Sequence, residues 1–230
     1  MTAVPMRLPV RPSQHPALAG AAGPGLHRIE PPPGAPWRRP ALARVPRALP
    51  SNQPVALAVV LHGSGGEPGQ ALDYLEPSAA AAPLVLVAPP SRDFTWDTVL
   101  GRPGPDIETV AHALRWAFDR FVVAPRRLAV AGFSDGASHA LALAIANGDV
   151  FASLAALSPG FVPPGPATGR ARMYVAHGTA DTVLPIARCS RRIVPALERA
   201  GFEVRYDEFV GGHEIPPAIA ERACQWILAS

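Results

Sequence analysis

Residues 128–138 read LAVAGFSDGAS, and this stretch decides the fold. Leu128–Ala131 is too short an apolar run for a helix but suits a strand buried on both faces. Gly132-Phe133-Ser134-Asp135-Gly136 follows, and Ala137–Asn147, rich in Ala and Leu, then reads as a helix. A serine raised on so tight a strand-to-helix turn needs strained backbone. The residues two places to either side must be small, because Cβ atoms would collide across the turn. Both are glycine. The positive N-terminal end of the helix then points at the Ser134 hydroxyl and favours a developing oxyanion there. A bare G-x-S-x-G arises often by chance, so the flanking strand and helix give it its weight.

The same texture repeats outward. Val55–Leu61 (VALAVVL) runs into His62-Gly63-Ser64-Gly65-Gly66, and Leu84–Ala88 (LVLVA) into Pro-Pro. Leu154–Leu157 ends in Ser-Pro-Gly, Met173–Ala176 in His-Gly-Thr-Ala-Asp, and Glu203–Val210 in Gly-Gly-His. Each reads as a strand. Two further strands are expected at Leu26–Glu30 and Ala41–Val45, joined by a Pro-rich turn over 31–40. Helices are expected at Ile107–Phe121, Cys189–Ala200 and Pro217–Leu228, with Asn147-Gly148 as a C-cap for the helix after Ser134. Alternating strands and helices predict one α/β domain over 24–230, with a mostly parallel central sheet flanked by helices. In such sheets function gathers beyond the carboxyl ends of the strands, where the glycines, Ser, Asp and His accumulate here.

Composition narrows the alternatives. With 48% hydrophobic and 17% charged residues in 230, the chain is too apolar for wholesale disorder and long enough to bury a core. No run of about 18 uncharged apolar residues occurs, so no membrane span is expected. Two cysteines, Cys189 and Cys224, allow one bridge at most, and free thiols in a cytoplasmic protein are the simpler reading. All 21 basic residues are Arg. Residues 1–50 hold seven of them against one acid, Glu30, together with 12 of the 29 prolines. The rest of the chain is acidic on balance. The basic pI thus belongs to the leading segment, and residues 1–23 read as a Pro/Arg-rich tail for which disorder is one reading. No signal-peptide pattern and no nucleic-acid reader motif is present, so nucleic acid is not an expected partner.

A serine hydroxyl is a poor nucleophile near neutral pH without a base. Of seven histidines, His15 and His27 lie in the leading segment, and His112 and His139 inside predicted helices. His62 and His177 each precede Gly at a strand end, where a ring usually shapes a loop. His213 follows two glycines beyond the last strand, a position that suits a mobile general base. Asp181, just past another strand end, is the candidate to orient that imidazole, with Asp207 and Glu208 as competitors on the last strand. The chain order is then Ser134, Asp181, His213. For the tetrahedral intermediate, the backbone N–H groups of Asp135 and Ser64 are the candidate oxyanion donors. A phosphate cradle is the other reading of 62–66, but neither phosphate-binding glycine pattern is present, and with no Lys in the chain a Walker-type lysine is excluded.

LHGSGG at 61–66, TWD at 95–97, GFSDGAS at 132–138, LSPGF at 157–161, HGTAD at 177–181 and GGHEI at 211–215 resemble the serine α/β-hydrolases of the phospholipase/carboxylesterase group. The resemblance extends to the related feruloyl-esterase and polyhydroxybutyrate-depolymerase-like branch and covers about residues 26–228. It implies an α/β-hydrolase fold and a carboxylesterase-type serine hydrolase with Ser134 as nucleophile, Asp181 as acid and His213 as base. The loop after His62-Gly63 and the Asp135 amide carry over as oxyanion hole, and no metal or cofactor is implied. The related dienelactone-hydrolase pattern has Cys at the nucleophile; Ser134 here points to ester chemistry.

Substrate residues are sought in Ser91–Asp106 and after Ser158. Trp96, Phe94, Leu100 and Phe161 are candidates for the walls of an acyl or alcohol pocket. The segment from Ser158 to Arg170 is too short for a large cap domain, which favours an open cleft for small or medium esters. A thioesterase or peptidase with the same residues, or a non-catalytic binding protein on the same fold, are the alternatives.

Overall fold

The computed structural model describes residues 6–12, 22–49, 53–79, 82–101, 104 and 106–229. Among them, eight strands form one sheet: β1 (Gly25–Ile29), β2 (Ala41–Val45), β3 (Val55–Leu61), β4 (Leu84–Ala88), β5 (Val123–Phe133), β6 (Ser153–Leu157), β7 (Arg172–Gly178) and β8 (Val204–Phe209). Their order across the sheet is β1-β2-β4-β3-β5-β6-β7-β8. β2 is antiparallel to both its neighbours, and every other pair is parallel.

The period-2 alternation of side chains sorts each strand onto two buried faces. In β3, Leu57, Val59 and Leu61 join one core, while Ala56, Ala58 and Val60 join the other. Helices α3 (Asp106–Phe118), α4 (Asp135–Ala146) and α5 (Ser190–Arg199) cover the first face. Helices α1 (Pro68–Asp73), α2 (Glu76–Ala79) and α6 (Pro217–Leu228) cover the second. The second face is built largely of alanine, with Ala56, Ala58, Ala129, Ala131, Ala155 and Ala176, which leaves room for the helices to lie close. Cys189 and Cys224 are both free and buried.

The main elements lie where periodicity places them. β5 begins earlier than its apolar run because its first half carries Pro125 and the exposed Arg126 and Arg127, which mask the strand in the sequence. The short helices α1 and α2 have too few turns to show a period.

The leading segment departs from the tail reading where it is described. Residues 6–12 lie against the body, with Leu8 and Val10 buried in the first core. They close the far end of α4, a helix buried all round. A helix leaves its last carbonyls without partners. Here the Arg7 guanidinium donates to the Ala146 carbonyl (2.8 Å), and the Asn147 amide donates to the carbonyls of Leu143 (3.0 Å) and Met6 (2.6 Å). Leu8 N–H returns a bond to Asn147 Oδ1 (2.8 Å), and Asp149 takes both Arg7 and Arg11. The remaining residues of 1–23 that carried the tail reading, 1–5 and 13–21, fall outside the described set. Gly148 is likewise not a left-handed cap. Glycine is needed there because a Cβ would strike the backbone of Thr168–Arg170 passing alongside.

Candidate active site

Ser134 caps the N-terminus of α4 with φ 56° and ψ −121°, a conformation L-residues rarely adopt. The flanking glycines explain how the chain reaches it. A Cβ on Gly132 would run into the Gly136 carbonyl, and one on Gly136 into the carbonyls of Leu61 and His62. The end of β3 therefore lies directly over the first turn of α4. Ser134 N–H donates to the Leu157 carbonyl (2.9 Å), which anchors the turn to β6.

His213 arrives from the loop between β8 and α6. Its Nε2 lies 2.9 Å from Ser134 Oγ, and its Nδ1 lies 2.6 Å from Asp181 Oδ2. A carboxylate only accepts, so Nδ1 carries the ring proton and Nε2 is left to accept from the serine hydroxyl. The three residues expected to meet are therefore in one hydrogen-bonded row. The Asp181 side chain is fully buried and that of His213 is 15% exposed. Asp181 Oδ1 also accepts from the amides of Val183 (2.9 Å) and Leu184 (2.7 Å). Burial alone would raise this carboxyl, but the bonds from His213 and from the two amides outweigh it and hold the group below its ordinary value.

The approach of His213 is pinned rather than free. The carbonyls of Gly211 and Gly212 sit where a side chain on Gly178 would stand, and Ala180 N–H donates to the Gly211 carbonyl (2.9 Å). The competing carboxylates are engaged elsewhere. Asp207 accepts from the Tyr174 hydroxyl (2.9 Å) and pairs with Arg222, while Glu208 pairs with Arg191.

The loop after β3 folds back over the serine. Gly63 stands against Ser134, since a Cβ on it would lie 3.4 Å from Ser134 Cβ. The amides of Ser64 and Asp135 make no hydrogen bond to any described residue. His62 shapes the loop: its Nδ1–H donates to the Gly63 carbonyl (2.8 Å), and its Nε2 accepts from the Ser91 amide (3.1 Å). Burial lowers its pKa and keeps it neutral.

The chain shares this architecture with known enzymes. Its structure matches a fluorophosphonate-binding serine hydrolase of Staphylococcus aureus, FphF, with a TM-score of 0.68 at 14% identity, over 89% of this chain and 99% of that one. A Bacillus cereus carboxylesterase matches with a TM-score of 0.63 at 18% identity, over 82% of this chain and 93% of that one. A ferulic acid esterase of Anaeromyces mucronatus matches with a TM-score of 0.64 at 16% identity, over 88% and 89%. The fold is that of the α/β-hydrolases. No protein-family model and no curated protein sequence matches the chain.

Within this α/β-hydrolase fold, the four residues sought as pocket walls divide. Phe94 (68% exposed), Leu100 and Phe161 stand out to solvent on loops beyond the carboxyl ends of β4 and β6. The Phe94 ring covers Gly65, whose φ of 67° turns the loop beneath it. Trp96 is not a wall. It is fully buried, donates from Nε1 to the His62 carbonyl (2.8 Å) and stacks on His139 at 4.8 Å, so it braces the loop over Ser134 from behind.

Other residues around Ser134 lacked any motif to announce them. The Phe133 ring packs 4.6 Å from that of His213, and Tyr74 packs edge-on against Phe133 with its hydroxyl 3.4 Å from the Gly63 amide. Ser138 Oγ accepts from the Gly160 amide (3.1 Å) and joins the loop after β6 to α4. Only the position of Phe133 beside the serine could have pointed to one of them. Among the described residues, no group of three or more His, Cys, Asp or Glu is placed to hold a metal ion, and no helix is long and apolar enough to cross a membrane.

Proposed function

We propose that the protein is a serine hydrolase of carboxylic esters that works through an acyl-enzyme. The observation that carries this reading is the continuous row from Asp181 through His213 to the strained Ser134, at 2.6 and 2.9 Å. His213 Nε2 takes the Ser134 proton as Oγ bonds to the ester carbonyl carbon. The amides of Ser64 and Asp135 receive the oxyanion. The tetrahedral centre then breaks its bond to the alcohol, which leaves with the proton from His213. Water repeats the sequence against the acyl-serine, releases the acid and restores the hydroxyl. Asp181 holds the imidazole in the tautomer this requires and stabilises its charged form.

The surroundings support a small or medium acyl ester. The 14 residues from Ser158 to Ala171 join β6 to β7 without an inserted helix, so this connection carries no cap. Phe133, packed on His213, and Phe94, over Gly65, offer apolar surface next to the catalytic row and its loop. The test is labelling with a fluorophosphonate probe, followed by a panel of p-nitrophenyl esters from acetate upward, with one aromatic ester, one thioester and one amide. The expected outcome is a single adduct on Ser134, turnover that favours oxyesters, and loss of turnover by about 1000-fold or more in Ser134→Ala with the fold intact. Equal activity in that variant sinks the reading.

A further inference from the structure

Asp181 Oδ2 is faced by two imidazoles. His213 Nδ1 stands 2.6 Å away, and His177 Nε2 stands 3.2 Å away. His177 closes the carboxyl end of β7 and is fully buried, and the reaction just described gives it no part. Its partners fix its proton. Nε2 lies 2.8 Å from the Leu184 carbonyl, and Nδ1 lies 2.7 Å from Ser190 Oγ. A carbonyl and a carboxylate can only accept, so Nε2 carries the hydrogen, and Nδ1 accepts from the serine hydroxyl. Burial lowers the pKa of the ring, which keeps it in this neutral form.

The consequences converge on Asp181. By holding the Leu184 carbonyl, His177 closes the turn 181–184 whose amides grip Asp181 Oδ1. That grip leaves Oδ2 as the oxygen presented to His213. Nε2, whose hydrogen bond goes to Leu184, also lies 3.2 Å from Oδ2, near enough for the positive edge of the ring to draw on its charge. Ser190, buried at the first position of α5, fixes the ring in turn.

We propose that His177 is a positioning residue: with Ser190 it sets the turn that aims Asp181 Oδ2 at His213, and the positive edge of its ring stands beside that oxygen. The proposal rests on the ester-hydrolase reading above. The groups around the ring are few. Asp181 and His213 face it from the loops, and Cys189 precedes Ser190 at the start of α5. Glu208 is registered beside it on β8, where it is tied to Arg191.

The test compares wild type, His177→Leu, His177→Gln and Ser190→Ala. One readout is the titration of the His213 imidazole by NMR, and the other is the pH profile of p-nitrophenyl acetate hydrolysis. Gln places an N–H near the position of Nε2, and Leu removes it. In His177→Leu, kcat should fall about tenfold with KM held within about twofold, a loss confined to the chemical step. The His213 titration and the acidic limb should move together to higher pH by about half a unit, because Oδ2 loses the positive ring edge 3.2 Å away and keeps more of its charge for His213. His177→Gln should restore the wild-type limb, and Ser190→Ala should fall between the two. A folded His177→Leu protein with wild-type kcat and an unmoved His213 titration overturns the proposal. If His177→Leu does not fold, an unmoved titration in Ser190→Ala overturns it instead. A wild type that hydrolyses no ester sinks the functional reading alone, since the His213 shift decides the positioning role without turnover.

Discussion

The Thr95 hydroxyl donates to the Asp135 carboxylate across 2.7 Å. One residue lies in the loop after β4 and the other follows the nucleophile candidate, so this bond ties the loop to the first turn of α4. Trp96 next to it is bonded to the His62 carbonyl, at the start of the loop over Ser134. The two amides proposed as oxyanion donors are thus braced by neighbouring residues of one segment. Thr95→Val keeps the shape and removes the bond. It should lower kcat by roughly threefold to tenfold, about 1 kcal/mol of transition-state stabilisation, with KM unchanged. Steady-state kinetics on a p-nitrophenyl ester measures it, and unchanged kcat would show that the tie is dispensable.

Gly136 is more exacting. A methyl group there meets the carbonyls of Leu61 and His62, which are backbone and cannot swing aside. Gly136→Ala should destabilise the fold by about 2 kcal/mol or more, because the end of β3 must be displaced. Urea denaturation reports the loss. A variant as stable as wild type would mean that the strand end yields easily.

Acid should weaken the fold from about pH 6.5 downward. Burial pushes the His139 imidazole down from 6.5 to about 3, and His62 and His177 are lowered by burial as well. In each case the unfolded chain binds a proton that the folded one refuses, so stability is full above the unfolded pKa and is lost as pH falls. At about 1.4 kcal/mol per unit, His139 alone withholds about 3 kcal/mol by pH 4.5. Asp181, held below its ordinary value, adds a loss at lower pH still. Asp106 works the other way between its ordinary value and about 6, where burial beside Asp97 favours its neutral form in the folded chain. Three imidazoles against one carboxyl leave the slope positive. Denaturation midpoints from pH 7 to 4 should fall steadily, and His139→Gln should flatten that fall.

Asn147 and Arg7 both hold the leading segment to α4, yet they should differ in weight. The Asn147 side chain is buried and makes three hydrogen bonds. Removing it leaves buried backbone groups unpaired, at about 1–3 kcal/mol. The Arg7–Asp149 pair is more than a third exposed, and solvent screening leaves it little weight. Thermal melts of Asn147→Ala and Arg7→Ala should rank in that order, and only the second should depend on salt.

The parts of the fold that were legible in the sequence are those with a physical signature in adjacent residues. Strands such as Val55–Leu61 and Leu84–Ala88 are buried on both faces and so read as unbroken apolar runs. The sharp turn at Ser134 demanded glycine at 132 and 136, which made it visible. Ser134, Asp181 and His213 stood out because each follows a strand end. What stayed hidden depends on distant contacts. Leu8 and Val10 sit in a Pro-rich stretch whose burial becomes apparent only once Asn147 is seen to hold it. Trp96 is a wall candidate from its place in the sequence alone, and its burial and its bond to the His62 carbonyl decide for packing. His177 carried the same local signal as His62, a ring before a glycine at a strand end. Its nearness to Asp181 Oδ2 comes from a turn of the chain that no spacing rule encodes.

Both cysteines lie in the core, and burial pushes the Cys224 thiol up to about 12 and raises that of Cys189. Neither sulfur offers a thiolate at neutral pH while the chain is folded. A maleimide will therefore find only molecules that have opened. The protein carries its own internal reporter of unfolding, and in air these two thiols stay reduced for as long as the chain stays native.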